Sequence, residues 1–194
     1  MRAPARRRLE ALRFLLNEVY TLGMMAVIAA VLSTAMVMQY AYGELPCPLC
    51  LLQRFAMLGV CFGLMQNFRN GFSDRNLGYS LLFSVFLLIV SVRQTLLDIY
   101  PRPGHAYVGS AVLGLHMPVW SIIIALALIS AFAVKLCVIG TEDGASPPSP
   151  KSAFGRVAAV LSLYVIALAL VNFGSVVVQC GHGECHTTGY ALLK

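Results

Sequence analysis

Charge is what this sequence has least of. Only 11% of its 194 residues are charged, and 8 of them are acidic, where an ordinary soluble domain carries roughly 25% charged residues. With 59% of the chain apolar and a mean hydropathy of +0.79, a water-soluble globular fold is excluded. The chain also lacks a haem-attachment motif, a flavin fingerprint and a glycine-rich dinucleotide signature, so none of those cofactors is signalled. No internal repeat points to a transporter built from two halves. The alternation of a barrel strand is missing too, and backbone groups that cannot reach water in lipid must then be satisfied within helices.

What is present instead is apolar length. Runs at Val19 to Gly43, Leu49 to Gln66, Leu77 to Ile99, Met117 to Ile139 and Val157 to Val178 predict five membrane-spanning helices, since about 20 apolar residues cross a hydrocarbon core of roughly 30 Å. The second run contains Arg54, which leaves 14 uncharged residues before Arg69; an arginine that snorkels to the interface extends the usable length. The fold class is therefore an all-α integral membrane protein. No soluble catalytic domain fits in the remainder, so chemistry must sit in short loops, at helix ends or within the bundle.

Orientation follows from the 14 basic residues, because Lys and Arg in short loops favour the cytoplasm. Arg2, Arg6, Arg7, Arg8 and Arg13 precede the first span, Arg69 and Arg75 join the second to the third, and Lys135, Lys151 and Arg156 flank the fourth and fifth. The opposite side keeps Arg102, Lys194, Arg54 and Arg93. This ten-to-four division predicts a cytoplasmic N-terminus and a periplasmic C-terminus. The net charge of +6 then reports topology, and no nucleic-acid partner is needed. The first run has 25 residues and no clean small-x-small site after it, whereas a signal-peptide core has roughly 7 to 15, so it reads as a span. Gly140 to Ser152, with Pro147, Pro148 and Pro150 among serines, reads as a flexible cytoplasmic linker.

This topology sorts the six cysteines. Cys47 and Cys50 fall in the first outer loop and Cys180 and Cys185 in the outer tail, so both close pairs face the compartment where disulfides persist. Cys50 stands at a helix start, whose dipole stabilises a thiolate. Arg54 follows four residues later, one turn deeper on the same face, where its charge can act on the thiolate or on an electron-rich partner. A stapled loop beside a snorkelling arginine is the plainer reading of the same residues. In the tail, Gly181 and Gly183 permit a tight excursion, and four residues separate the two sulfurs. Cys180, His182, Cys185 and His186 also form a sulfur and nitrogen set suited to zinc or copper, although their spacing is not a standard finger pattern. A purely structural tail disulfide is a further alternative. Cys61 and Cys137 read as buried thiols acting as small apolar residues, the scattered methionines as packing, and His105 and His116 as interface residues.

Three segments carry a resemblance to the disulfide bond formation protein B (DsbB) family of bacterial inner-membrane proteins. Pro46-Cys47-Pro48-Leu49-Cys50 with Arg54 resembles the family's P-C-x-L-C-x-x-x-R at the start of its second span. Gln94-Thr95-Leu96-Leu97-Asp98-Ile99-Tyr100-Pro101 is similar to the stretch ending in Y-P where the third span exits, and Leu113-Gly114-Leu115-His116-Met117-Pro118-Val119-Trp120 resembles G-L-x-M-P-x-W at the start of the fourth. Together they cover about residues 15 to 139. The resemblance implies a four-helix bundle that binds ubiquinone or menaquinone near its outer end and reoxidises a periplasmic DsbA-like thioredoxin-fold protein. Cys47 and Cys50 would be the quinone-coupled pair, with Arg54, Gln94, Asp98 and Met117 around the quinone.

One departure is plain. The family's second cysteine pair lies between the third and fourth spans, and Pro101 to His116 contains no cysteine. Here a fifth span delivers Cys180 and Cys185 to the same side. The expected organisation is a DsbB-like four-span bundle over residues 1–139, a cytoplasmic linker over 140–156, and a fifth span with a periplasmic cysteine-bearing tail over 157–194. The expected function is a quinone-dependent thiol oxidase in which Cys180 and Cys185 pass electrons to Cys47 and Cys50 and onward to quinone. The alternative is a membrane protein that handles zinc or copper with its outer Cys and His clusters. Export of reducing power would need an inner cysteine pair, for which Cys61 and Cys137 are the sole candidates.

Overall fold

The computed structural model describes residues 3–100, 111–138, 140, 149, 152–181, 183, 185 and 189–193, with 3–11 and 193 described by their backbone alone. The described residues form helices α1 (Ala3–Ala41), α2 (Pro48–Asn70), α3 (Asp74–Ile99), α4 (Met117–Val138) and α5 (Ala153–Cys180), followed by a 3-10 turn at Ala191–Leu193. The pairing Val112↔Leu115 is an isolated bridge, and no strand occurs among the described residues. All five helices contain a segment long and apolar enough to cross a membrane, running from Leu12 to Ala41 in α1. The chain is an all-helical, multi-pass membrane protein.

Local chemistry sets the helix ends. Ser73 caps α3 by accepting from Asn76 N at 3.3 Å, and Ser152 caps α5 by accepting from Gly155 N at 2.9 Å. Gly71 and Gly181, with φ of 92° and 58°, end α2 and α5 and return an N–H to the last turn. Helix α3 sits between α2 and α4, and α1 and α5 pack on each other and on α2. The α2–α3 contact is close because two glycines of α2 make room. A Cβ on Gly59 would enter the Phe83 ring, and one on Gly63 would lie 2.8 Å from the backbone of Asn76 and Ser80. Ser33 Oγ and Tyr164 Oη, 2.6 Å apart, join α1 to α5. The core of Met25, Leu32, Val60, Leu87, Phe132 and Val165 draws on all five helices, while Leu163, Leu170 and Phe173 of α5 face outward, as a lipid-exposed helix requires.

Several expectations change. Helices α1, α2, α3 and α5 start ahead of their apolar runs and α5 also extends past its run, so Cys180 is the last residue of α5 and not part of a free tail, and α5 begins inside the segment 140–156 read as linker. Arg54 does not snorkel; it is buried against α1. Cys61 is buried as expected, but Cys137 is exposed on the outer surface of α4, where a lipid-facing thiol is as acceptable as a buried one. Lys135 is also buried, with its ammonium 5.6 Å from the centre of the Phe72 ring at the end of the bundle away from the cysteine pairs. Arg2, Arg102, His105, Lys151 and Lys194 lie outside the described residues.

Candidate active site

Leu45-Pro46-Cys47-Pro48 leaves α1 and turns into α2. Pro48 fits the first helical position because it has no N–H to satisfy, and Cys47 caps the helix, its sulfur accepting from Cys50 N at 3.1 Å. Cys47 and Cys50 are joined in a disulfide over the first turn of α2. The partial positive charge of this helix end faces both sulfurs. From α3, Gln94 Nε2 donates to Cys47 Sγ at 3.3 Å and to Cys50 Sγ at 3.4 Å. Gln94 is held in turn: its Oε1 accepts from Gln53 Nε2 at 2.9 Å, and Gln53 Oε1 accepts from Ser121 Oγ at 3.0 Å. These three residues are buried, so the chain from α4 through α2 to α3 fixes which atom of Gln94 meets the sulfurs.

A cavity of about 380 Å³ opens beside the disulfide between α1, α2 and α4. Cys50, Gln53 and Arg54 form one wall, Met117 and Trp120 another, and α1, the loop of Glu44, Leu45 and Pro46 and the Val112–Leu113 turn complete it with mostly apolar atoms. The turn is tight, with Leu113 and Gly114 at φ of 53° and 78°, and Trp120 Nε1 donates to Val112 O at 2.9 Å to hold it. Arg54 is tied to α1: Nη1 donates to Gln39 Oε1 at 2.5 Å and Nη2 to Ala35 O at 3.0 Å. The volume lies in the range of about 300 to 1,000 Å³ usual for small-molecule sites, and an apolar space with a few fixed polar groups is their usual composition.

The second pair, Cys180 and Cys185, is also a disulfide, closed across the end of α5. It lies at the same end of the bundle. Gln179, fully buried, donates from Nε2 to Pro46 O at 2.8 Å, so the residue before Cys180 is bonded to the residue before Cys47.

The structure therefore gathers Cys47, Cys50, Arg54, Gln94 and Met117 at one site and sets Cys180 and Cys185 beside it. Gln94 meets the sulfurs and not the cavity wall, and Asp98, one turn further along α3 and half-buried, is not part of the lining. Gln39, Gln53, Ser121 and Gln179 were not anticipated from the sequence. Their signal is that each is a polar side chain within or bordering an apolar run. Among the described residues no group of three His, Cys, Asp or Glu comes together for a metal, and His182 and His186 of the alternative metal set lie outside them. The sulfurs of that set are bonded to each other.

Comparison with known proteins agrees with this geometry. The family model for disulfide bond formation protein DsbB matches residues 17–106, a segment that contains Cys47, Cys50, Arg54 and Gln94. A disulfide bond formation protein B of Aromatoleum aromaticum is 33% identical over 86 residues, 41% of this chain and 51% of the relative. The chain thus spans about half the length of the curated relative it matches. No solved structure matches. The DsbB resemblance holds over α1, α2 and α3, and α5 with its cysteine pair lies beyond the matched segment.

Proposed function

We propose that this protein is a quinone-dependent thiol:disulfide oxidoreductase of the bacterial inner membrane, which reoxidises a periplasmic DsbA-like thioredoxin-fold protein. The observation that carries the reading is that Cys50 of the Cys47–Cys50 disulfide lines an apolar cavity that the buried cation Arg54 also lines. The cavity fits ubiquinone or menaquinone: its walls suit an apolar ring, and Arg54 and the hydroxyl of Ser121 suit the ring's oxygens. A bound quinone would supply the oxidant for the two electrons and two protons released when a dithiol closes to a disulfide.

The protein's own part is thiol exchange. A thiolate of the reduced partner attacks the Cys180–Cys185 disulfide, and the partner's second thiolate resolves the mixed disulfide. This leaves the partner oxidised and Cys180 and Cys185 as a dithiol. The same exchange transfers the reducing equivalents to Cys47 and Cys50. Gln94 donates an N–H to whichever sulfur leaves, and the start of α2 with Arg54 stabilises the negative charge on Cys50 beside the cavity. The proposed organisation is the four-span bundle over 1–139, a linker that ends where α5 begins at Ala153, and the fifth span with its tail from there to 194. The distribution of the basic residues supports a cytoplasmic N-terminus and periplasmic cysteine pairs.

The test is quinone reduction by the purified protein with a purified, reduced thioredoxin-fold partner. Stoichiometric loss of partner thiols and formation of quinol is the expected result. Partner oxidation without quinol, or neither change, would overturn the reading.

A further inference from the structure

Gln39 on α1 is 2% exposed, and both ends of its amide are in use. Its oxygen accepts from Arg54 Nη1 at 2.5 Å, while its Nε2 donates to Ser175 Oγ of α5 at 2.5 Å and to Tyr190 Oη of the tail at 3.3 Å. Arg54 offers only donors, so Gln39 can serve it in one amide orientation, with the oxygen toward the guanidinium and the NH₂ turned to α5 and the tail. In that buried place the NH₂ needs acceptors, and the two hydroxyls supply them. A guanidinium on a flexible stem has many conformers. Gln39 and the Ala35 carbonyl take hold of both terminal nitrogens from the α1 side of the cavity.

We propose that Gln39 is a positioning residue for Arg54, and that α5 and the tail, through Ser175 and Tyr190, hold Gln39 in that role. The fifth helix then does more than carry a second cysteine pair: it sets where the cavity's fixed charge stands. This rests on the quinone reading of the cavity for its catalytic consequence, but the hold on Arg54 is independent of it. Gln39 and Arg54 lie inside the DsbB-matched segment and residues 175 and 190 outside it, so the hold on Gln39 comes from beyond that segment.

The test uses the full chain in nanodiscs with a small dithiol as electron donor and a short-chain benzoquinone as acceptor. For Ser175→Ala combined with Tyr190→Phe, the apparent KM for benzoquinone should rise about fivefold, the effect of roughly one lost hydrogen bond. Gln39→Leu should raise it about tenfold or more, with kcat at saturating quinone within about twofold and the dithiol KM unchanged. Gln39→Glu keeps an acceptor for Arg54 and can accept from both hydroxyls, and it should restore KM to near the wild-type value. A second measurement does not need quinone. In ¹⁵N-arginine-labelled protein, the two terminal nitrogens of Arg54 should give separate signals in the wild type that merge in Gln39→Leu, as rotation of the guanidinium is released. Unchanged KM values together with unchanged Arg54 signals would overturn the proposal. Wild-type protein that reduces no benzoquinone would overturn the quinone reading instead, and the Arg54 signals would then decide the positioning alone.

Discussion

The two disulfides sit at opposite ends of their helices. Cys47–Cys50 begins α2, where the helix presents partial positive charge, while Cys180–Cys185 closes at the end of α5, where the partial charge is negative. The first has a Gln94 N–H on both sulfurs and Arg54 in the adjoining cavity. The second encloses the Gly181 turn and is followed by the 3-10 turn that packs on α5. Groups of positive character therefore surround the sulfurs of the first pair, and the negative end of α5 meets those of the second. Since the pair with the more stabilised reduced form is the stronger oxidant, the difference gives the proposed pathway a direction, from the tail pair to the pair beside the cavity.

The largest expected effect breaks the comparison outright. Cys47→Ser or Cys50→Ser should abolish quinone reduction with any donor, because nothing else in the cavity wall exchanges electrons with a thiol. Cys180→Ser or Cys185→Ser should stop turnover with a thioredoxin-fold donor yet leave a small dithiol able to reduce the first pair. Quinol formation with each donor checks both halves. Equal loss with the two donors would give the tail disulfide a structural role and remove the direction just argued.

Next in size is Arg54→Met, which keeps length and apolar packing but takes the charge from one side of the comparison. The apparent KM for quinone should rise by roughly fivefold to 150-fold, equivalent to about 1 to 3 kcal/mol for a lost charge-assisted hydrogen bond. Gln39 Oε1 and the Ala35 carbonyl lose a donor as well, so thermal stability should fall, and the quinone KM against an unchanged dithiol KM is the measurement that separates the two. Unchanged constants for quinone would reduce Arg54 to a structural tie between α1 and α2.

How far such a site can be read from sequence depends on the kind of signal each residue leaves. The spans were legible because lipid demands length, and Arg54 because four residues from Cys50 is one helical turn. Their ends were not: an apolar run marks the lipid, whereas the helix runs on through polar and charged residues, which is why α1 reaches back to Ala3 and α5 passes Gln179 to carry Cys180. Cys137 was misjudged because a lipid-facing position is as apolar as a buried one. The amides were harder still. Gln94, Gln53, Gln39 and Gln179 act by pairing across helices, and no spacing along one helix reveals a partner on another; only their presence within or beside apolar runs gives notice of them.

The smallest expected effect tests whether the two disulfides are held together or merely share an end of the bundle. Gln179 is fully buried, and its donation to the Pro46 carbonyl at 2.8 Å is a bond that joins the two cysteine segments. Gln179→Leu keeps the apolar volume and removes the donor, leaving the Pro46 carbonyl without that partner at a cost of about 1 to 3 kcal/mol. If the bond matters for transfer, part of this cost appears as a looser approach of Cys180 to Cys47. Turnover with a thioredoxin-fold donor should then fall by roughly threefold to tenfold, well short of the cysteine substitutions, since both disulfides stay at the same end of the bundle. Turnover with a small dithiol bypasses the tail and should stay at the wild-type rate. A matched fall with both donors would mean that Gln179 supports the Cys47 loop itself, and the second pair would lose the contact that puts it in line with the first.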